Sequence, residues 1–289
     1  MRQDLLSVLQ GNIQNLSKGQ RRIAQYILES YDKAAFMTAN VLGKTVGVSE
    51  STVVRFAMEL GFDGYPSMQK ALQEMIVNRL TSVQRIEVTN NRIADKDVLA
   101  TVLHSDMENL RKTAETIDRT AFEAAVSTIL KAERIYIIGV RSAAPLANFF
   151  GYYLNYIFPN VHIVTASGAG EMFERIVGVN ARDAVVAFSF PRYSATTLKM
   201  AQYCRSTGAT VIGITDTKLS PLGESSDYVL AAKSNMLSMV DSLVAPLSVV
   251  NALLVAIAAK KEAELSETFH ELERIWEEYN IYEKQDGIS

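Results

Sequence analysis

The chain has 289 residues, 48% hydrophobic and 21% charged, with a formal net charge of −3. This is ordinary globular composition with ample apolar content for a core, and the length suits two domains or one large one. A single cysteine, Cys204, excludes an internal disulfide and any multi-cysteine zinc site. The first twenty residues include Asp4, Gln10, Asn12 and Asn15 and lack the apolar run of a signal peptide.

The average charge hides a split. Residues 1–80 carry nine Lys/Arg against seven Asp/Glu, whereas the remainder carries 20 against 25. Much of the acidity lies in Lys260 to Ser289, with four basic and nine acidic residues. A mildly basic amino-terminal part is weak support for nucleic-acid binding, because local placement of charge counts for more than the total.

In chain order, Ile13, Leu16, Ile23, Ile27 and Leu28 predict a supporting helix centred on Gln20 to Ser30. Thr38 to Thr45 reads as a short helix with Val41, Leu42 and Val46 turned inward. Val46-Gly47-Val48 then makes a tight corner, where Gly47 can take a positive φ. Ser49 is a good N-cap for the next helix. Val53, Phe56, Ala57 and Leu60 recur at i, i+3, i+4 and i+7, one buried stripe, and Gly61 supplies the left-handed residue that ends the helix. Ser51 and Arg55 point the opposite way, with Thr52 and Glu59 on the flank. Short hydroxyls and an arginine on a free face are what major-groove reading uses. The pattern predicts a helix-turn-helix, and Lys44, Ser49, Ser51, Thr52 and Arg55 are the candidate contacts to a double-stranded DNA operator. A plain pair of packed helices has the same spacing.

Gly61 to Pro66 is a turn cluster, followed by a helix from Ser67 to Leu80 carrying Met68, Leu72, Met75 and Ile76. The pattern breaks from Thr81 to Asp97. A helix with Leu99, Val102, Leu103, Met107 and Leu110 follows, then another from Thr120 to Leu130. From Arg134 the periodicity changes to continuous apolar runs: Ile135 to Val140, Val161 to Val164, Ala184 to Phe188, Thr210 to Ile214 and the short Tyr228 to Leu230. Such runs are parallel strands buried on both faces. Helical stretches alternate with them at Ala144 to Phe158, Gly170 to Val179 and Ala195 to Ser206. The alternation predicts an α/β parallel-sheet, Rossmann-like domain behind an α-helical one. Cys204 lies inside the last of those helices and reads as an inert buried thiol.

Leu243 to Ala259 is seventeen uncharged residues, but Pro246, Ser248 and Asn251 interrupt it, and it falls short of the roughly twenty apolar residues of a membrane span. It reads as a buried helix, so the expectation is a cytoplasmic protein without a membrane partner. The predicted layout is 1–78 for the helix-turn-helix domain, 79–106 for a linker, 107–265 for the sheet domain and 266–289 for an acidic helical tail.

Ligands of open parallel sheets bind beyond the strands' carboxyl ends. Two such ends are rich in hydroxyls here: Gly139-Val140-Arg141-Ser142, and Ser189 through Thr197. Hydroxyls beside the free amides of a helix N-terminus make an anion site, to which Arg141 or Arg192 can add a charge-assisted contact. Ordinary helix capping is the competing explanation for each loop. There is no Walker lysine and no GxGxxG, so ATP and dinucleotides are disfavoured. An isomerase needs a positioned base. His104, His162 and His270 are poorly placed for that, and no spacing singles out Glu171, Glu174 or Asp241. Binding without turnover is therefore expected, with no catalytic residue, metal or cofactor.

With both halves in view, the sequence resembles the RpiR-type transcriptional regulators, which join a helix-turn-helix to a sugar isomerase (SIS) domain. The resemblance rests on Leu16 to Ala24, Val48 to Phe56 and Leu60 to Tyr65 in the first half. In the second it rests on Ile138 to Ser142, Ser189 to Thr197, Gly208 to Asp216 and Ser220 to Leu222. It implies an operator-binding protein modulated by a phosphosugar, controlling genes of sugar or amino-sugar metabolism. It also implies phosphate held by Ser142, Ser189, Ser194 and Thr197. The chain departs from the common Ser-x-Ser-Gly-x-Thr loop: Pro191 replaces the second serine, Arg192 the glycine and Ser194 the threonine. Arginine compensates for a lost donor, which adds Arg192 to the candidate effector site. A homodimer or higher homo-oligomer is expected, because helix-turn-helix dimers read paired half-sites, and the Leu243 to Ala259 helix is one candidate for its interface. The alternatives are a phosphosugar isomerase with an accessory helical domain, and a helical protein-interaction module.

Overall fold

Among the described residues, five helices of the amino-terminal unit pack around one apolar cluster. The computed structural model describes residues 9, 13–76, 86, 97–165, 168–235 and 240–282. Its two units are Met1–Thr101 with Met236–Asp241, and Val102–Asn235 with Ser242–Ser289. The predicted linker segment 81–97 lies largely outside the described residues.

A 3-10 turn at Ile13–Asn15 leads into α1 (Lys18–Glu29), α2 (Tyr31–Ala34), α3 (Ala39–Val46), α4 (Glu50–Glu59) and α5 (Tyr65–Ile76). Each boundary has a chemical cause. Ser17 and Gln20 form a reciprocal capping box at the start of α1. The Thr38 hydroxyl accepts the Val41 N–H to start α3, and Gly47 ends that helix at φ +70°. Ser49 caps α4, and Gly61 follows it at φ +85°. Ile23, Ile27, Leu42, Val53, Phe56, Met68 and Leu72 make the core. One inward assignment is corrected: Val41 is 46% exposed, while Ala39, Leu42, Gly43 and Val46 are buried. Residues 39, 42, 43 and 46 share one helix face at 3.6 residues per turn, and 41 lies off it. α5 begins two residues before the predicted Ser67. Tyr65 is buried there with its hydroxyl donating to the Met37 carbonyl at 2.7 Å, and burial pushes its pKa up to about 12.

The second unit is a three-layer α/β sandwich. The helix α6 (Val98–Thr116) runs unbroken through the predicted boundary at residue 106, and α7 (Arg119–Lys131) follows. Then come β1 (Ile135–Gly139), α8 (Ala144–Leu154), β2 (Val161–Val164), α9 (Ala169–Ile176), β3 (Ala184–Phe188), α10 (Ala195–Ser206), β4 (Thr210–Thr215), α11 (Pro221–Glu224), β5 (Tyr228–Ala231), α12 (Val244–Ala258) and α13 (Glu262–Glu278). The sheet order is β2-β1-β3-β4-β5, and every pairing is parallel.

Strand alternation sends Ile135, Ile137, Val186 and Phe188 to the layer of α7, α8 and α12. Tyr136, Ile138, Val185 and Ala187 go to the layer of α9 and α10. That two-sided burial is why the strands read as continuous apolar runs. Cys204 is buried on α10 in the second layer, and burial pushes its thiol up to about 12. Val98, Leu99, Val102, Leu103 and Met107 of α6 face outward, with Leu99 69% and Met107 56% exposed, and Leu110 is half-buried, while Asn109 and Thr113 are its buried residues. The helix over 244–258 is a core element, burying Val249, Val250, Leu253 and Ile257. Among the described residues no single helix is long and apolar enough to cross a membrane.

Candidate functional site

The first candidate surface is the start of α4. The Ser49 hydroxyl accepts the Thr52 N–H at 3.3 Å, and lies 2.9 Å from the Ser51 hydroxyl and 2.8 Å from that of Thr52. Ser51 and Arg55 are exposed and Thr52 is half-buried, while Val53, Phe56 and Ala57 anchor the opposite face. Lys44 is exposed near the end of α3. Asn40 donates to Glu50 at 3.0 Å, tying α3 to the first turn of α4.

The sequence reading did not assign α1 to this surface. α1 lies against the corner and α4 at Gly19, where a Cβ would be in ordinary contact with Val48 and Thr52, at 3.4 and 3.6 Å. Lys18, Arg21 and Arg22 are therefore carried beside α4. The Arg22 guanidinium lies over Gly47 at the corner. Arg21 donates to the carbonyls of Gln14 and Leu16, 3.1 and 3.3 Å away. The signal was present as three basic residues within Lys18-Gly19-Gln20-Arg21-Arg22. What was missing was the helix crossing that gives them a direction.

The second candidate surface lies at the carboxyl edge of the sheet. The chain leaves β1 toward α8 on one face and leaves β3 toward α10 on the other. The crevice between those two strand ends is the topological switch point, where open α/β sheets hold ligands. β1 and β3 are neighbours, with Gly139 opposite Phe188, so the loops bearing Ser142 and Ser189 leave adjacent strands. A Cβ at Gly139 would meet the Ala143 carbonyl oxygen and the Ala147 Cβ at 2.9 Å, so the turn folds back tightly over the strand end. Within that turn Arg141 takes φ +57°, and Arg141 and Ser142 are exposed.

In the β3 loop the Ser189 hydroxyl is buried and accepts the Ser194 N–H at 3.2 Å. Ser194 in turn caps α10 by accepting the Thr197 N–H at 3.3 Å. Both oxygens act as acceptors toward the loop's amides. Arg192 is exposed. Thr197 is fully buried, and its hydroxyl has no partner among the described residues.

A further pair here escaped the sequence reading. The Tyr193 hydroxyl donates to Asp216, just past β4, at 2.8 Å. The Thr215 hydroxyl lies 3.1 Å from the same carboxylate oxygen and 2.9 Å from the Ser220 hydroxyl. Burial holds the Asp216 carboxyl above the usual carboxylate range, opposed chiefly by the Tyr193 hydrogen bond. His162 stacks on Tyr136 at 4.8 Å, and Glu171 pairs with Arg175 at 3.2 Å. Among the described residues no group of three His, Cys, Asp or Glu is placed to hold a metal ion.

A helix-turn-helix unit followed by a doubly wound sheet with hydroxyls at its switch point is the architecture of a DNA-binding regulator with a second, α/β domain. Comparison with known proteins agrees with both halves. The rpiR-family helix-turn-helix domain matches residues 3–79, and the SIS domain matches residues 128–256. The chain belongs to the RpiR family and is a helix-turn-helix transcriptional regulator with a SIS domain.

Among its relatives, an HTH-type transcriptional regulator of Haemophilus influenzae is 28% identical over 75% of each chain. The regulator HexR of Pseudomonas aeruginosa is 22% identical over 89% of this chain and 90% of its own. The sugar isomerase domain of an RpiR transcription factor from Sphaerobacter thermophilus superposes with a TM-score of 0.58 at 26% identity, covering 61% of this chain and 98% of that one. Vibrio vulnificus NanR, solved in complex with ManNAc-6P, shares the fold with a TM-score of 0.58 at 22% identity, over 94% of this chain and 97% of its own.

Proposed function

We propose that this regulator works in the cytoplasm as a homodimer whose operator affinity is set by a phosphosugar that it binds without converting. The observation that carries the reading is the crevice between β1 and β3. There the Ser142 loop leaves the strand beside β3, whose own loop has Ser194 capping α10 and Ser189 accepting the Ser194 N–H. A phosphate at that point receives hydroxyl protons and the positive end of a helix, with Arg192 adding a charge-assisted contact and Thr197 completing the first turn. NanR, of the same fold, was solved with a sugar phosphate, and this supports the ligand class.

On the DNA side, Ser49, Ser51, Thr52 and Arg55 enter the major groove while Lys44 contacts backbone. The effector shifts the protein between two arrangements only as far as its affinity for them differs. In a shift assay with its operator, Arg55→Ala is expected to lose roughly tenfold or more in specific affinity, on the scale of about 1–3 kcal/mol per base contact. Its phosphosugar affinity should be unaltered. Calorimetry of Ser142→Ala with Ser189→Ala should show no phosphosugar binding, and undiminished binding would remove the site.

One observation favours turnover instead: Asp216 is a carboxyl with a raised pKa at the functional edge, the profile of a general base. Its Oδ1 is already engaged by Tyr193 and Thr215, which is the arrangement of a structural acceptor. Incubation of the pure protein with aldose and ketose phosphates decides between the readings, since interconversion at any enzymatic rate would establish an isomerase.

A further inference from the structure

We propose that Arg141 is an anion-contacting residue of the effector crevice, held by the fold in a left-handed backbone conformation. The inference rests on the phosphosugar reading above and adds to it a residue. Among the described residues only Arg141 and Asn280 take positive φ without being glycine. Asn280 follows the end of α13, where asparagine commonly closes a helix in this way, with the Ile281 N–H returning to the Trp276 carbonyl at 3.0 Å. Arg141 has no such explanation. A long side chain in the left-handed region crowds the following carbonyl, and glycine would adopt the same turn without that cost.

The fold nevertheless enforces the conformation. The Ala143 N–H donates to the Val140 carbonyl at 3.1 Å, the Ala144 N–H donates to the Arg141 carbonyl, and Ala143 and Ala147 close over Gly139. Nothing in the side chain offsets the strain. The guanidinium is exposed and has neither hydrogen bond nor ion pair among the described residues. Strained residues of this kind collect at ligand clamps because the strain is part of binding. Here the strained residue is the one immediately before Ser142, at the carboxyl end of β1, and the loop carrying Arg192 leaves the neighbouring strand β3. The geometry points to two guanidinium groups closing on one phosphate from the two loops. Of the pair, Arg141 is the one whose left-handed backbone fixes where its side chain starts.

The test uses the full chain, differential scanning calorimetry, and isothermal titration with inorganic phosphate and with ManNAc-6P. Arg141→Gly is expected to melt above the wild type and to bind both probes at least tenfold more weakly. Arg141→Asn tolerates left-handed backbone without glycine's extra freedom in the unfolded chain, and is expected to show the same opposed changes. Arg141→Lys keeps charge and strain but loses the planar fork, so it should melt like the wild type and bind between the two. Wild-type affinity in Arg141→Gly and Arg141→Asn overturns the proposal, as does a melting temperature no higher than wild type in both. A wild-type protein that titrates neither probe fails the effector reading itself. One that titrates both, and loses them in Ser189→Ala but not in Arg141→Gly, keeps that reading and removes Arg141 from it.

Discussion

At the two ends of β1 and β3 the central sheet uses charge in opposite ways. At the amino edge, where the strands begin, charges are spent on one another. Arg134 grips Asp183 through two bonds of 3.0 and 2.8 Å, and Asp183 also accepts the Asn180 N–H at 2.8 Å. Arg182 meets Glu133 at 3.0 Å, and Arg205 meets Asp227 at 3.0 Å. At the carboxyl edge the hydroxyls of Ser189 and Ser194 only accept from their own loop, and the Arg141 guanidinium has no carboxylate beside it among the described residues. The contrast is confined to the β1 and β3 loops, since after β4 on the same carboxyl edge Lys218 meets Asp118 at 2.6 Å and Tyr193 holds Asp216.

Breaking the amino edge should give the largest effect. Asp183→Ala leaves Arg134 facing a site without its anion, and removing one partner of a buried pair costs about 3 kcal/mol. The Asp183 side chain is fully buried and that of Arg134 is 30% exposed, so the low end of the usual range applies. Chemical denaturation should register that loss, with effector affinity preserved. Ser189→Ala with Ser194→Ala reverses the pattern. Losing the α10 cap costs about 1 kcal/mol, while calorimetry should show phosphosugar binding abolished. If binding survived in that variant, the contrast between the edges would lose its functional meaning.

The smallest effect belongs to Asp216→Asn, which keeps an acceptor for Tyr193. Because burial raises the carboxyl's pKa, the folded chain holds that proton to higher pH than the unfolded chain. The associated stability is complete below the ordinary aspartate value of 3.8 and is lost as pH rises through the raised value. Melting temperature against pH should therefore show Asp216→Asn gaining on the wild type from acid toward neutral pH. Parallel curves would mean the carboxyl titrates alike in both states.

The helix-turn-helix was legible because its caps and stripes are local: Ser49, Gly61 and the 53-56-57-60 spacing lie within one helix and its ends. Val41 was misassigned because apolar character alone does not place a residue on the buried face of an eight-residue helix. On α6 the apolar positions were equally visible, yet Asn109 and Thr113 are the residues it buries. The sheet was legible from its unbroken apolar runs, and so were the two hydroxyl loops. The Tyr193–Asp216 bond was not, since it joins residues 23 positions apart that come together only through the pairing of β3 with β4. Nor does the letter for arginine disclose that residue 141 has a left-handed backbone. That follows from how the turn closes over Gly139.

The sole thiol, on the third turn of the helix that begins at Ser194, gives the molecule a built-in clock. An alkylating reagent can reach Cys204 only when α10 lifts from its layer, so the labelling rate reads the frequency of that opening without any engineered probe. A metabolite seated on the first turn of the same helix should slow the clock in proportion to its occupancy, and a reagent as simple as iodoacetamide would then report on sensing.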